Sequence, residues 1–197
     1  MIETSQRRLQ RAPDFTGNQL NHFHEVALRH GLLGAFLGTL CLLHPGMRGF
    51  LVDAMMPMTT DATRYVSISF FIFFALCTYA WYIDRKFGAE KLSWVVYLLA
   101  VSIWEEWVFR LAVPYLLDEQ GVNFGIAIVG TNLVFGLMHY FTLRWKWQWC
   151  LGAFIGGMAL SRQLYFHSDF ALIIALHWIA TFLNTPRMPG QSRKKSA

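Results

Sequence analysis

Between Leu92 and Leu117 the chain is apolar except for one cluster, Trp104-Glu105-Glu106-Trp107-Val108-Phe109-Arg110. A run of that length spans a bilayer as a helix. Each charge at the centre of such a helix costs about 2.5–3.5 kcal/mol on insertion scales, and an apolar neighbour offsets only ~0.3–0.6 kcal/mol. Three charges at this depth therefore need partners or a task. Helical geometry sorts them. Residues turn by about 100° each, so Glu106 and Arg110 lie within about 40° of one another and pair along one face. Glu105 lies about 140° from Arg110, so its partner must come from another helix. A purely structural polar knot between helices is the plain alternative.

Composition agrees with a membrane protein. Of 197 residues, 55% are hydrophobic and 15% charged, against about 25% charged in soluble domains. Cys41, Cys77 and Cys150 lie in or beside apolar runs without a C-x-x-C pair, and read as small buried residues. The fold expected is all-α, a polytopic membrane protein of about six helices with a four-helix catalytic core. Its parts are a basic cytoplasmic segment (1–26), two N-terminal spans (27–91), a catalytic membrane domain (92–184) and a basic cytoplasmic tail (185–197).

The first span is expected over about 27–43, ended by Pro45-Gly46, with a loop over 47–63. Further spans are expected over about 65–83, 92–117, 122–141, 150–166 and 170–183. Gly152, Gly156 and Gly157 on the fifth suggest close helix approach. The basic residues follow topology. With both termini on one side, only Arg48, Arg64 and Arg162 of the 17 Lys and Arg fall opposite and Arg110 falls within. That asymmetry places both ends in the cytoplasm and explains the net charge of +5 without nucleic acid.

More polar side chains sit within the spans. His139 shares a face with Phe135 and Asn132, and His177 with Thr181 and Asn184. A Glu and a His together can deprotonate water, and a second His can donate to the oxyanion of a tetrahedral intermediate. These are the parts for amide hydrolysis inside a membrane.

The ordered set Glu105-Glu106-x-x-x-Arg110, Phe135-x-x-x-His139 and His177 on successive apolar helices resembles the CPBP family. These are the CAAX proteases and bacteriocin-processing (ABI) enzymes, among them the Ras-converting type of prenyl endopeptidase. The resemblance covers about 92–184. It implies a membrane-embedded endopeptidase in which Glu105 and His139 activate water and His177 serves the oxyanion. The family places Asn four residues after this His, whereas here that position is Thr181. Asn184 has nearly the azimuth of His177 but lies about 10 Å further along the helix. Glu106 and Arg110 complete the site residues, with Thr181 and Asn184 as oxyanion candidates and Phe135 and Asn132 in support.

Glu105, His139 and His177 are also zinc-ligand types. No H-E-x-x-H is present and the three stand on separate helices, which favours a metal-free, glutamate-type mechanism with Zn²⁺ as the alternative. The expected partners are the lipid bilayer and a membrane-anchored protein or peptide substrate, of CAAX, C-terminal sorting or bacteriocin-precursor type. The contrasting class is a non-catalytic membrane protein: an immunity factor, a scaffold or a transporter subunit.

Overall fold

The structure, a computed structural model, describes residues 22–85 and 88–188. The basic segment up to residue 21 and the tail beyond 188, with Arg7, Arg8, Arg11, Arg193, Lys194 and Lys195, lie outside the described residues, as does Lys86. Among the described residues the elements are helical: α1 Phe23–Cys41, α2 Pro45–Ala54, α3 Met56–Thr60, α4 Ala62–Asp84, α5 Ala89–Glu119, α6 Phe124–Thr142, α7 Trp147–His167 and α8 Phe170–Asn184. By length and apolarity α4, α5 and α6 can each cross a membrane. α1 and α2 qualify together, bent by 107° at their break. α7 has 21 residues and α8 only 15, or about 32 and 22 Å of helix.

Turn chemistry sets the helix starts. The Asn123 side chain accepts from the amides of Gly125 and Ile126 and caps α6. Asp169 accepts from Leu172 N to cap α8, and its other oxygen accepts from the Tyr65 hydroxyl at 2.5 Å, tying α4 to α8. Pro45 begins α2 rather than merely ending α1, because proline suits the first helical turn where no amide partner is needed. The loop expected over 47–63 is thus mostly the short helices α2 and α3.

α5 is the axis of the molecule. Trp178 Nε1 on α8 donates to Val95 O at 3.0 Å, and Trp94 Nε1 donates to Thr185 O at 2.8 Å. These bonds pin α8 along α5. α1 reaches α5 through glycine. A Cβ on Gly38 would stand 2.4 Å from the Trp104 ring, and Trp107 Nε1 donates to Gly38 O at 2.9 Å. The glycines expected on α7 divide differently. Gly157 is in tight contact with α6 and α5, whereas Gly152 and Gly156 meet no neighbour.

Two clusters form the core. One holds Val95, Leu98, Trp178 and Phe182 at the α4–α5–α8 junction; the other holds Met47, Trp107, Phe109, Phe135 and Ile173. The outside is apolar instead: Phe70, Phe71 and Phe74 of α4 are all more than half exposed, as a lipid-facing helix requires. At one end Asp84 accepts from Arg187 Nε at 2.9 Å and pairs with Lys91, joining the ends of α4, α5 and α8.

Within α5, Trp107–Ala112 form a π-helical turn directly after the two glutamates. Pro114 follows. Proline offers no amide and its ring crowds the carbonyl four residues earlier, here that of Arg110, so the widened turn relieves a clash that a regular helix would carry.

Candidate active site

Glu105, Glu106 and Arg110 are all buried, and Glu106 is fully enclosed. The two carboxylates take different partners, as their azimuths demand. Glu106 Oε2 lies 3.3 Å from Arg110 Nε on its own helix, and Glu106 Oε1 lies 2.5 Å from His177 Nδ1 on α8. Glu105 faces other helices. His177 Nε2 lies 3.4 Å from Glu105 Oε2, so the His177 ring stands between the two glutamates. His139 Nε2 on α6 lies 3.9 Å from Glu105 Oε1, and its Nδ1 is held at 2.9 Å by Phe135 O.

The nearest partner of Glu105 is one the sequence reading passed over. His30 of α1 places Nε2 2.8 Å from Glu105 Oε1. Its Nδ1 lies 2.9 Å from the Thr142 hydroxyl of α6, which donates in turn to Met138 O at 2.7 Å. A signal was present: His30 is an ionisable residue within an apolar span, the same criterion that singled out His139 and His177. Its position beside Arg29 at the start of the first span makes it resemble an interfacial residue. In the fold it is buried.

Phe135 is the packing hub. Its ring lies 3.9 Å under the Arg110 guanidinium carbon and makes edge contacts with His139 and His177. A cation over an aromatic face recovers part of the solvation a buried guanidinium loses. Asn132 Nδ2 donates to Ser161 Oγ and Ile128 O, both at 2.9 Å. Arg144, at φ 58°, turns the chain so that the Trp145 ring covers His139 at 4.5 Å.

The remaining residues are less central. Thr181 is half-buried, one turn beyond His177 on α8. Asn184 is exposed at the end of that helix and lies outside the buried cluster. For a metal, the compact donor set is His30, Glu105 and His139, whose ligand atoms lie within 4.8 Å of one another. It contains His30 where the sequence reading placed His177. These donor types suit zinc, and both rings have their second nitrogen held by hydrogen bonds, as zinc-binding histidines do. Binding would require His30 Nε2 and Glu105 Oε1 to part from their present 2.8 Å.

Four helices thus converge on a pair of buried carboxylates inside an all-α protein whose outer surface is apolar. That is the class: an integral membrane protein with an enclosed glutamate–histidine site. A family described as type II CAAX prenyl endopeptidase Rce1-like matches residues 87–183, and through this segment the chain belongs to that family of CAAX-type intramembrane proteases. No curated protein and no solved structure matches the chain.

Proposed function

We propose that this protein is an intramembrane endopeptidase that hydrolyses a peptide bond near the C-terminus of a membrane-anchored protein or peptide, using water activated by Glu105 and His139. One observation carries the reading. A single buried carboxylate, Glu105, is confronted by the Nε2 atoms of three histidines from three other helices. A structural ion pair needs one partner; this arrangement surrounds the carboxylate with proton-handling groups at unequal distances.

The 3.9 Å between His139 Nε2 and Glu105 Oε1 is too long for a direct hydrogen bond and suits a water shared by both. Glu105 takes one proton from that water as the oxygen attacks the scissile carbonyl carbon. The carbonyl π electrons move to its oxygen. His177 supplies a donor for that oxyanion. Lying between two carboxylates, it is satisfied on both sides when both ring nitrogens carry hydrogen, with Nδ1–H on Glu106 and Nε2–H toward the reacting centre. Glu105 then passes its proton to the leaving amide nitrogen as the C–N bond breaks, giving a carboxylic acid and an amine. Arg110 and Glu106 hold His177 in place.

A prenylated C-terminal segment fits the family, and a C-terminal sorting signal or bacteriocin precursor fits the same chemistry. The test is mass spectrometry of membrane proteins from cells carrying the wild-type protein or Glu105→Gln. The expected result is one or more membrane-anchored precursors that accumulate only with the variant. Identical C-termini in both would overturn the proposal.

A further inference from the structure

The segment shared with the family begins at residue 87, yet the closest group to Glu105 comes from α1, far before it. We propose that His30 is a positioning residue for this site: it fixes the Glu105 carboxylate and the His139 ring in the arrangement that activates water. The inference rests on the endopeptidase reading above and adds to it a residue outside the family segment.

The geometry gives His30 little freedom. Nδ1 is held by the Thr142 hydroxyl at 2.9 Å, and that hydroxyl is anchored on Met138 O at 2.7 Å. Nε2 is thereby aimed at Glu105 Oε1, 2.8 Å away. The ring also meets the His139 ring at 5.4 Å and 60°. Thr142 and Met138 lie on α6 with His139, so His30 links the helix carrying the carboxylate to the helix carrying its histidine. Without it Glu105 Oε1 keeps only the 3.9 Å approach of His139. Catalytic groups need placement to within about 0.5 Å, and a 1 Å error costs on the order of 10²-fold in rate.

Two substitutions separate positioning from mere packing. The side-chain nitrogen of Gln reaches about as far as histidine Nε2, so His30→Gln keeps a donor against Glu105. That of Asn reaches only about as far as Nδ1, so His30→Asn keeps the contact with Thr142 and loses Glu105. Full-length variants are purified in detergent and assayed on an internally quenched farnesylated peptide ending in a CAAX sequence, with Glu105→Gln as the inactive reference. His30→Gln is expected within several-fold of wild type. His30→Asn is expected to lose about 10–100-fold in kcat with KM little changed, at equal yield. Thr142→Val should fall between them.

A second readout does not depend on turnover. The ¹³C carboxylate resonance of Glu105, assigned by its loss in Glu105→Gln, should shift in His30→Asn and stay near its wild-type position in His30→Gln. Equal kcat for the Asn and Gln variants, or a Glu105 resonance unmoved in His30→Asn, would overturn the inference. If the wild-type protein leaves this peptide uncut, the CAAX-type reading has failed for it, and the resonance alone decides whether His30 positions Glu105.

Discussion

His177 Nδ1 lies 2.5 Å from Glu106 Oε1, so the glutamate that pairs with Arg110 also grips the histidine proposed for the oxyanion. The structural ion pair and the chemistry are thereby joined through one carboxylate. Removing Arg110 acts on both, first by stranding a charge and then by freeing the ring.

Stability should report the stranded charge. Breaking a buried pair by removing one partner costs roughly 3–5 kcal/mol. Arg110→Ala and Glu106→Ala are therefore expected to lower the amount of folded, detergent-extracted protein sharply. Combining Glu106→Gln with Arg110→Met leaves no lone charge on α5, and yield should largely recover. Activity should not, because His177 has lost its anchoring carboxylate. Poor yield of the double variant would mean that the pair is required for folding itself.

Glu105→Gln and His139→Ala should each abolish cleavage while leaving the protein in the membrane at normal abundance. The Gln substitution keeps the size of the side chain and removes the base; the Ala substitution removes its partner across 3.9 Å. Turnover of either variant near the wild-type rate, followed by appearance of the cleaved peptide, would show that another group activates the water.

Cleavage is expected to persist in EDTA and in phenanthroline. Should it vanish and return with added Zn²⁺, the metal reading gains and the donor set to mutate becomes His30, Glu105 and His139.

The glycines of α7 offer a test of packing. A Cβ on Gly157 would lie 2.3 Å from Asn132 Oδ1 and 2.8 Å from Arg110 Nη2, while Gly152 and Gly156 have open space. Gly157→Ala should destabilise by about 1–3 kcal/mol, and Gly152→Ala and Gly156→Ala should be neutral in thermal unfolding of the detergent-solubilised protein. Equal effects at Gly156 and Gly157 would contradict the packing described.

The basic asymmetry yields a topology to check. A reporter fused after Lys195 and another inserted near Asp53 should report opposite sides of the membrane, the first cytoplasmic. Both reporting the same side would reject six crossings with cytoplasmic ends.

Much of the site was legible because charge in an apolar helix is so costly that each instance demands an explanation. Glu105, Glu106, Arg110, His139 and His177 all stood out on that ground, and the azimuths of the two glutamates foretold that one would pair within α5 and the other across helices. His30 escaped because a histidine one residue from Arg29 looks like the end of a span rather than its interior. Only the packing of α1 on α5 through Gly38 carries it inward. The helices α2 and α3 escaped because Pro45 and Pro57 read as breakers, although each sits in a first helical turn, where proline is tolerated. The family segment does not reach these helices, and their register depends on contacts distant in sequence.

The π turn of α5 has a consequence for chain length. A helix with such a turn carries one residue more than its neighbours need. Deleting a single residue between Trp107 and Ala112 would let the segment settle into a regular helix and rotate all that follows by about 100°. Tyr115, which stacks on Phe50 of α2 at 4.7 Å, would swing away from it. The spacing between the glutamates and Tyr115 is thus counted to the residue, and a frame-preserving deletion there should release α2 while sparing the side chains of the site.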